Sequence, residues 1–213
     1  MTLLIGDTAP DFEAETTEGR IRFHHWAGND WIVFFSHPAD FTPVCTTELG
    51  YTARLRDEFA RRGARALVIS VDTLSHHRDW SADITETQGV AVNFPMIADP
   101  GRRIATLYNM IHPGADPKLT VRAVYIIDPQ KKIRASIVYP PSVGRNFDEV
   151  LRLLDSLQLT DGYKVATPVN WTPGDEVIIA PSVQDPDELA RLFPKGYRTL
   201  KPYLRLTPQP DKV

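Results

Sequence analysis

The sequence contains a single cysteine, Cys45, among 213 residues. It can therefore form neither an internal disulfide, nor a Cys-x-x-Cys redox pair, nor a cysteine-rich zinc site, and any thiol chemistry must use one sulfur. A chain without cross-links or an export signal belongs by default in a reducing compartment, so we expect a cytoplasmic protein.

Long apolar runs and an excess of basic charge are also lacking. No stretch approaches the roughly 18 apolar residues that a membrane helix needs, and the N-terminal segment lacks the basic and apolar regions of a secretion signal. The 24 lysines and arginines are outnumbered by 27 aspartates and glutamates, which gives a formal net charge of −3. We therefore expect neither a membrane nor nucleic acid as a partner.

The first three quarters of the chain alternate between strand-like and helix-like patterns. Strand-like apolar runs lie at 31–35, 66–71, 121–128 and 133–139, the last two joined as a hairpin through 129–132. Helical patterns lie at about 46–62 and 75–87, near 104–108, and from about 147 to 157, whereas 93–100 is predicted to be a loop. This order predicts an α/β fold with a mixed sheet and helices on both faces.

The last part of the chain has a different composition. Residues 168–213 hold eight of the 18 prolines, and the only clear helical pattern there is at 187–192. We expect no separate core in this segment, but a Pro-rich extension packed on the main domain or on a second subunit. The predicted division is a main domain of residues 1–166 and an extension of residues 167–213.

Cys45 follows the first apolar strand and a proline-containing loop, where the helix predicted from about Thr46 would have its first turn. Taken alone, a single cysteine is more often a small buried apolar residue than a nucleophile. At the start of a helix, however, unpaired N–H groups and the helix dipole favour the reactive thiolate. This context favours a reactive cysteine.

The segment Pro38-Ala39-Asp40-Phe41-Thr42-Pro43-Val44-Cys45 has the pattern P-x-x-x-T-x-x-C. With this loop the sequence resembles the peroxiredoxins, and the fuller string from Phe35 to Glu48 resembles their one-cysteine, peroxiredoxin-6-type subfamily. The likeness covers nearly the whole chain and includes 144–149 and 165–171. It implies a thioredoxin-like fold with a C-terminal extension.

The resemblance also implies an activity, a thiol peroxidase for hydrogen peroxide and organic hydroperoxides. Cys45 would attack the peroxide as a thiolate and become a sulfenic acid. Thr42 would hydrogen-bond the thiolate and the peroxide, and Pro38 would shield the sulfur from water. Arg122 matches the active-site arginine of the family, whose guanidinium suits both the thiolate and the polarised O–O bond.

Two further residues match the subfamily with roles that stay open. Arg145 corresponds to a second arginine near the site, with a structural role equally open to it. His37 corresponds to a histidine beside the active-site proline, which can contact the sulfur region, lie at a subunit interface or do nothing chemical. The pairs at 24–25 and 76–77 are adjacent, so their rings point apart and form no chelate. We expect neither a metal site nor a cofactor.

The lone cysteine also defines the expected partners. Without a second cysteine, the sulfenic acid must be reduced by an external thiol, such as glutathione or a thioredoxin-type protein. The resemblance implies a homodimer in which the extension reaches a neighbouring subunit, with decamers as a further assembly. The alternative function is non-enzymatic: a thioredoxin-like peroxide sensor or a holdase chaperone that shares Cys45.

Some members of this subfamily also have a phospholipase activity, which uses a serine in a Gly-Asp-Ser-Trp-Gly segment. The equivalent segment here is Gly28-Asn29-Asp30-Trp31-Ile32, so Asp30 occupies the serine position. His24 matches the histidine of that site, but no hydroxyl is present to act as the nucleophile of acyl transfer. We expect no lipase activity of this kind.

Overall fold

The computed structural model describes residues 3–210. The chain divides into two compact units, the first ending at Phe147 and the second starting at Asp148. The units thus divide earlier than 166/167, because the helix that starts at Phe147 contributes Leu159 to the core of the second unit. No helix among the described residues is long and apolar enough to cross a bilayer.

The first unit contains one mixed sheet with helices between its strands. The strands are β1 (Glu13–Thr16), β2 (Gly19–Arg22), β3 (Trp31–Ser36), β4 (Ala64–Ser70), β5 (Met96–Ala98), β6 (Arg122–Ile127) and β7 (Ile133–Tyr139). The helices are α1 (Phe23–Ala27), α2 (Pro43–Arg54), α3 (Arg56–Arg61), α4 (Leu74–Gln88) and α5 (Arg103–Leu107). Within residues 3–147 the strands form one seven-stranded sheet in the order β2-β1-β5-β4-β3-β6-β7.

The central strand β3 determines where the site lies. All of its side chains are buried, as expected for a strand covered on both faces. It pairs in parallel with β4 and antiparallel with β6, with Phe35 opposite Val124. The carboxyl end of β3 and the amino end of β6 therefore meet at one edge of the sheet, which brings Arg122 to the loop that follows β3.

Aromatic side chains fill much of the core on one side of this sheet. The rings of Phe12 and Phe23 stack with centroids 4.9 Å apart, and the ring edges of Phe34 and Tyr108 meet at the same centroid distance. These side chains are at most 4% exposed. Offset and edge-to-face pairs of this kind add to the stabilisation from burial, so the core holds the central strands rigidly.

Two local predictions for this unit were wrong. The helix predicted at 46–62 starts earlier, at Pro43, and is interrupted at Leu55, which separates α2 from α3. The segment 93–100, predicted to be a loop, contains β5, which pairs in parallel with β4. A three-residue strand is too short for a periodic pattern, so only its pairing with β4 and β1 reveals it. The predicted mixed sheet and the hairpin of β6 with β7 are confirmed.

The second unit has a small sheet and a core of its own. Its elements are α6 (Phe147–Gly162), β8 (Val165–Ala166), β9 (Val177–Ile179), α7 (Pro186–Leu192), β10 (Arg198–Lys201) and β11 (Leu204–Thr207). Among the described residues the strands pair in the order β10-β11-β9-β8. The buried side chains include Leu159, Trp171, Val177, Ile179 and Phe193. This core is shared with α6, because Leu159 and Val165, which precede residue 167, pack with the apolar residues of the short strands.

Candidate active site

Cys45 lies in the first turn of α2 and is fully buried. Thr42 precedes the helix with extended backbone angles, and Pro43 is the first helical residue, a position that needs no N–H donor. The helix starts three residues before Thr46, so the sulfur is inside the turn whose N–H groups lack helical acceptors. The peptide dipoles of this turn favour a negative charge on sulfur.

Arg122, the first residue of β6, points its guanidinium at the sulfur. Its Nη1 lies 3.3 Å from Cys45 Sγ and 2.6 Å from Glu48 Oε2. Its Nε and Nη2 donate to the Pro141 carbonyl at 2.9 and 2.7 Å. The side chain is 3% exposed, so the orientation of the cation is set by protein groups alone. This geometry fixes a positively charged donor beside the sulfur.

Glu48, which sequence reasoning missed, holds the two arginines of the site. Its carboxylate accepts from Arg122 Nη1 and, through both oxygens, from the Nε and Nη2 groups of Arg145 at 3.0 and 2.7 Å. The backbone N–H of Arg145 also donates to Glu48 Oε1 at 2.8 Å. The signal that could have found it is its spacing, since a residue three positions after Cys45 lies on the same helix face.

Arg145 is fixed from both sides. Its Nη1 donates to the carbonyls of Ser36 and Ala123 at 2.8 and 3.3 Å, and its guanidinium carbon lies 4.5 Å from the ring centre of Phe35. Burial lowers the pKa of Arg145, opposed by the attraction of Glu48, but a guanidinium stays charged at neutral pH. For Glu48 the effect of burial has the opposite sign, since it raises the pKa of the carboxyl group. The attraction and hydrogen bonds of Arg145 and the attraction of Arg122 outweigh burial, so the pKa of Glu48 lies below its usual range.

The charged groups around Cys45 have a net positive charge that one further anion would neutralise. Two guanidiniums and one carboxylate sum to one positive charge in a site that is almost closed to solvent. A thiolate at Cys45 would make the cluster neutral. Because an unpaired buried charge is costly, the cluster suits one further anionic group at this position.

The loop before α2 contains the other expected residues. Pro38 is buried, and the Thr42 hydroxyl donates to the Ala39 carbonyl at 2.8 Å. Phe41 has a left-handed backbone (φ 54°) and a half-exposed ring. A non-glycine residue in this region is strained, and strain of this kind concentrates at functional loops. The structure thus brings Pro38, Thr42, Cys45 and Arg122 to one edge of the sheet, with Arg145 beside them.

His37 contacts a carboxylate rather than solvent. Its Nε2 lies 2.8 Å from Asp40 Oδ1, and the other oxygen of Asp40 lies 2.7 Å from Nδ1 of His77. Burial lowers the pKa of His37, opposed by the hydrogen bond and attraction of Asp40. As expected, adjacent histidines diverge, since the His76 side chain is 59% exposed and that of His77 is buried.

These three side chains also offer metal-ligand atoms within 4.8 Å of one another, a cluster that sequence reasoning missed because His77 comes from α4. The same atoms, however, are spaced for hydrogen bonds of 2.7 and 2.8 Å.

Comparison with known proteins identifies the family. Residues 5–136 match the family model described as "AhpC/TSA family", and residues 156–193 match that of the "C-terminal domain of 1-Cys peroxiredoxin". The chain belongs to the one-cysteine peroxiredoxins. It is 53% identical to a 1-Cys peroxiredoxin of Dictyostelium discoideum over 210 residues, which cover 99% of this chain and 87% of the relative. It is 48% identical to peroxiredoxin-6 of Homo sapiens over 221 residues, with 98% of each chain covered.

Solved peroxiredoxin structures have the same fold. A cysteine-to-serine variant of peroxiredoxin 6 of Arenicola marina superposes with a TM-score of 0.90 at 44% identity, over 99% of this chain and 100% of that one. A yeast mitochondrial 1-Cys peroxiredoxin gives a TM-score of 0.90 at 47% identity, over 97% and 100%. The predicted thioredoxin-like fold is confirmed. The peroxiredoxin is a thiol-dependent peroxidase, and the non-enzymatic alternative is not favoured.

Proposed function

We propose that Cys45 is the peroxidatic nucleophile and that Arg122 is the principal group that stabilises it. The observation that carries this assignment is the distance of 3.3 Å between Arg122 Nη1 and Cys45 Sγ in a buried pair. Glu48 acts as a positioning residue, because its carboxylate binds Arg122 and offsets one of the two positive charges. Arg145 acts through Glu48, whose carboxylate it holds in place.

The reaction consumes one hydroperoxide per thiolate. The sulfur of Cys45 attacks the terminal peroxide oxygen, an S–O bond forms and the O–O bond breaks. The sulfur is oxidised to a sulfenic acid, and the leaving oxygen takes up a proton and departs as water or an alcohol. Negative charge moves from sulfur to the leaving oxygen in this step, so a fixed guanidinium beside both atoms lowers the barrier.

Thr42, Pro38 and His37 complete the proposed site. Thr42 hydrogen-bonds the thiolate and the peroxide, for which its hydroxyl must turn away from the Ala39 carbonyl. Pro38, buried in the same loop, keeps bulk water from the sulfur. His37 supports the loop through Asp40. Hydrogen peroxide and organic hydroperoxides are the proposed substrates.

The decisive experiment counts turnovers. With dithiothreitol as reductant, the wild-type protein should consume many equivalents of hydrogen peroxide per chain, and Cys45→Ser should consume none. Thr47→Ala is the matched control, since this exposed residue of the same helix turn bonds only the Val44 carbonyl among the described contacts, and it should retain wild-type turnover. Consumption of about one equivalent with every thiol tried would instead indicate a sensor or a holdase.

We propose that an external thiol regenerates Cys45. The yeast relative is described in terms of a thiol resolving mechanism "via glutathione/thioredoxin systems", and this chain has no second cysteine to resolve the sulfenic acid. Glutathione or a thioredoxin-type protein is the proposed reductant, and a cytoplasmic location, where such thiols are abundant, goes with it. Mass spectrometry of peroxide-treated protein, before and after addition of each reductant, tests this assignment.

We also propose a homodimer, with decamers as a further assembly. Strand β7 is the outer strand of the sheet: the backbone of Ile133, its first residue, hydrogen-bonds Gly6 and Asp7, whereas Val138, farther along, is half exposed, which supports pairing along the later part of this strand. In the second unit Val169 and Tyr203 are 88% and 72% exposed, which supports dimer contacts by the extension 167–213. A monomeric mass in light scattering would contradict the dimer.

A further inference from the structure

A carboxylate of the active-site loop, that of Asp40, lies between two buried histidines. Asp40 Oδ1 faces Nε2 of His37 at 2.8 Å, and Asp40 Oδ2 faces Nδ1 of His77 at 2.7 Å. The three side chains are at most 1% exposed. Trp80, one helical turn after His77 on α4, packs against the His37 ring at a centroid distance of 5.2 Å. The surroundings therefore leave little freedom to any of these rings.

The partners of His77 determine its protonation. Its Nε2 lies 3.0 Å from the Ile97 carbonyl oxygen, which can only accept a hydrogen bond. Its Nδ1 faces Asp40, and an ionised carboxylate can also only accept. Burial raises the pKa of Asp40, but the hydrogen bonds from His37 and His77 outweigh it and hold that pKa below its usual range. Each ring nitrogen of His77 thus faces an acceptor, and both contacts are hydrogen bonds only if both nitrogens carry hydrogen, which would make His77 an imidazolium cation paired with the Asp40 anion.

The same carboxylate determines the tautomer of His37. Asp40 accepts the hydrogen on Nε2, so a neutral His37 ring has a bare lone pair on Nδ1. This atom is buried and has no hydrogen-bond partner among the described residues. Buried polar atoms are rarely left unpaired outside functional sites. His37 directly precedes Pro38 in the active-site loop, so this acceptor lies in the segment that ends at Cys45.

We propose that His77 is a positioning residue of the peroxidase: it neutralises Asp40 and through it holds His37 as the tautomer with hydrogen on Nε2 and a free acceptor at Nδ1. The proposal rests on the peroxidase function only for its kinetic test. The cluster takes a proton rather than a metal ion, because the atoms that a metal would use already share hydrogens at 2.7 and 2.8 Å.

The protonation pattern can be read directly from the reduced wild-type protein. Long-range ¹H–¹⁵N spectra of protein labelled in the histidine rings should show both nitrogens of His77 protonated at neutral pH, and His37 protonated on Nε2 only. His77→Gln and His76→Gln assign the signals. A neutral His77, or a His37 with its hydrogen on Nδ1, would overturn the proposal. So would stoichiometric Zn²⁺ binding that His77→Gln abolishes.

Kinetics separate positioning from a merely structural role. The charged or titratable groups that face His37 are Asp40, His77 and, through the Asp40 backbone, Asp72. In His77→Gln the carboxylate beside His37 loses its compensating cation, so His37 takes up a proton more readily and loses its acceptor. The acid limb of the rate constant for Cys45 oxidation by hydrogen peroxide should move to higher pH by about one unit or more.

The neighbouring histidine provides the matched control. His76 is exposed and lies 3.7 Å from Asp72, so His76→Gln should leave the pH profile unchanged. A His77→Gln enzyme with reduced stability but the wild-type pH profile would contradict the proposal. Asp40→Asn, which removes the anion, should move the acid limb the opposite way, to lower pH. If His77→Gln fails to fold, the pH profile of Asp40→Asn and the wild-type spectra still test the proposal. The same ring protonation is expected in the spectra of Cys45→Ser, so this test does not depend on peroxidase activity.

Discussion

Removing the Arg122 cation is the sharpest test of the proposed site. In Arg122→Met the sulfur loses its donor at 3.3 Å, whereas Glu48 keeps its bonds to Arg145. The cluster of Arg122, Arg145 and Glu48 has a net charge of +1, whereas Arg145 and Glu48 alone sum to zero, so a thiolate becomes the uncompensated charge. A hydrogen bond to a charged group contributes about 1.5–3 kcal/mol, which lowers the equilibrium constant for thiolate formation about 10- to 100-fold.

The rate should fall further than the thiolate population. Loss of one preorganised donor to a developing charge typically costs about 10²- to 10³-fold in rate. The second-order rate constant for oxidation of Cys45 by hydrogen peroxide should therefore fall by at least about 10³-fold at neutral pH. Arg122→Lys should recover part of this loss, because it keeps the charge but cannot donate in a fork to the Pro141 carbonyl.

The assay combines two measurements on each variant. Ultraviolet absorbance of the thiolate reports ionisation, and rapid competition for hydrogen peroxide reports the rate. Arg20→Met, at a side chain that is 67% exposed, is the control for loss of one arginine and should match the wild type. If Arg122→Met retains thiolate and rate within a factor of about ten, the proposed role of this hydrogen bond is wrong.

Further predictions concern stability and a second activity. Glu48→Gln leaves two buried guanidiniums without their carboxylate and should destabilise the fold by about 3–5 kcal/mol at neutral pH in urea unfolding. The pKa of Glu48 is depressed in the folded state, so its contribution to the free energy of unfolding is complete above the unfolded pKa of about 4.3 and is lost as pH falls through the folded pKa. The difference in unfolding free energy between Glu48→Gln and the wild type should therefore shrink in acid. A difference that stays constant with pH would contradict this. Gly50→Ala should destabilise the fold by about 1–3 kcal/mol, because the new Cβ would lie 2.6 Å from Gln88 Cβ. The higher helix propensity of alanine offsets up to about 1 kcal/mol of this cost. Gly114→Ala, in open space, is its control and should be close to neutral in the same denaturation assay. Asp30 pairs with Arg65 at 2.9 Å and offers no hydroxyl, so the pure protein should release no fatty acid from phosphatidylcholine micelles. Fatty acid release by the native protein that heat inactivation abolishes would refute this.

The active-site loop could be predicted from the sequence because its information is local. The spacing of Pro38, Thr42 and Cys45 and the start of a helix after two prolines all lie within a few residues of one another. The buried strands at 31–35 and 66–71 were equally clear, because continuous apolar runs are typical of strands covered on both faces. The short strand β5 and the strands of the second unit left no such pattern, since two to four residues show no period.

The sequence by itself determined the family, the position of its single cysteine in the active-site loop motif and the order of the main elements. Only the tertiary structure decided which charges meet at the sulfur. Arg122 lies 77 positions from Cys45, Arg145 lies 97 from Glu48, and His77 lies 37 from Asp40. These partners come together because β3 pairs with β4 on one side and β6 on the other, which brings their ends and the following helices to one edge of the sheet. Residue spacing along the chain carries no record of that pairing, so the charge balance of the site can be read only from the folded protein.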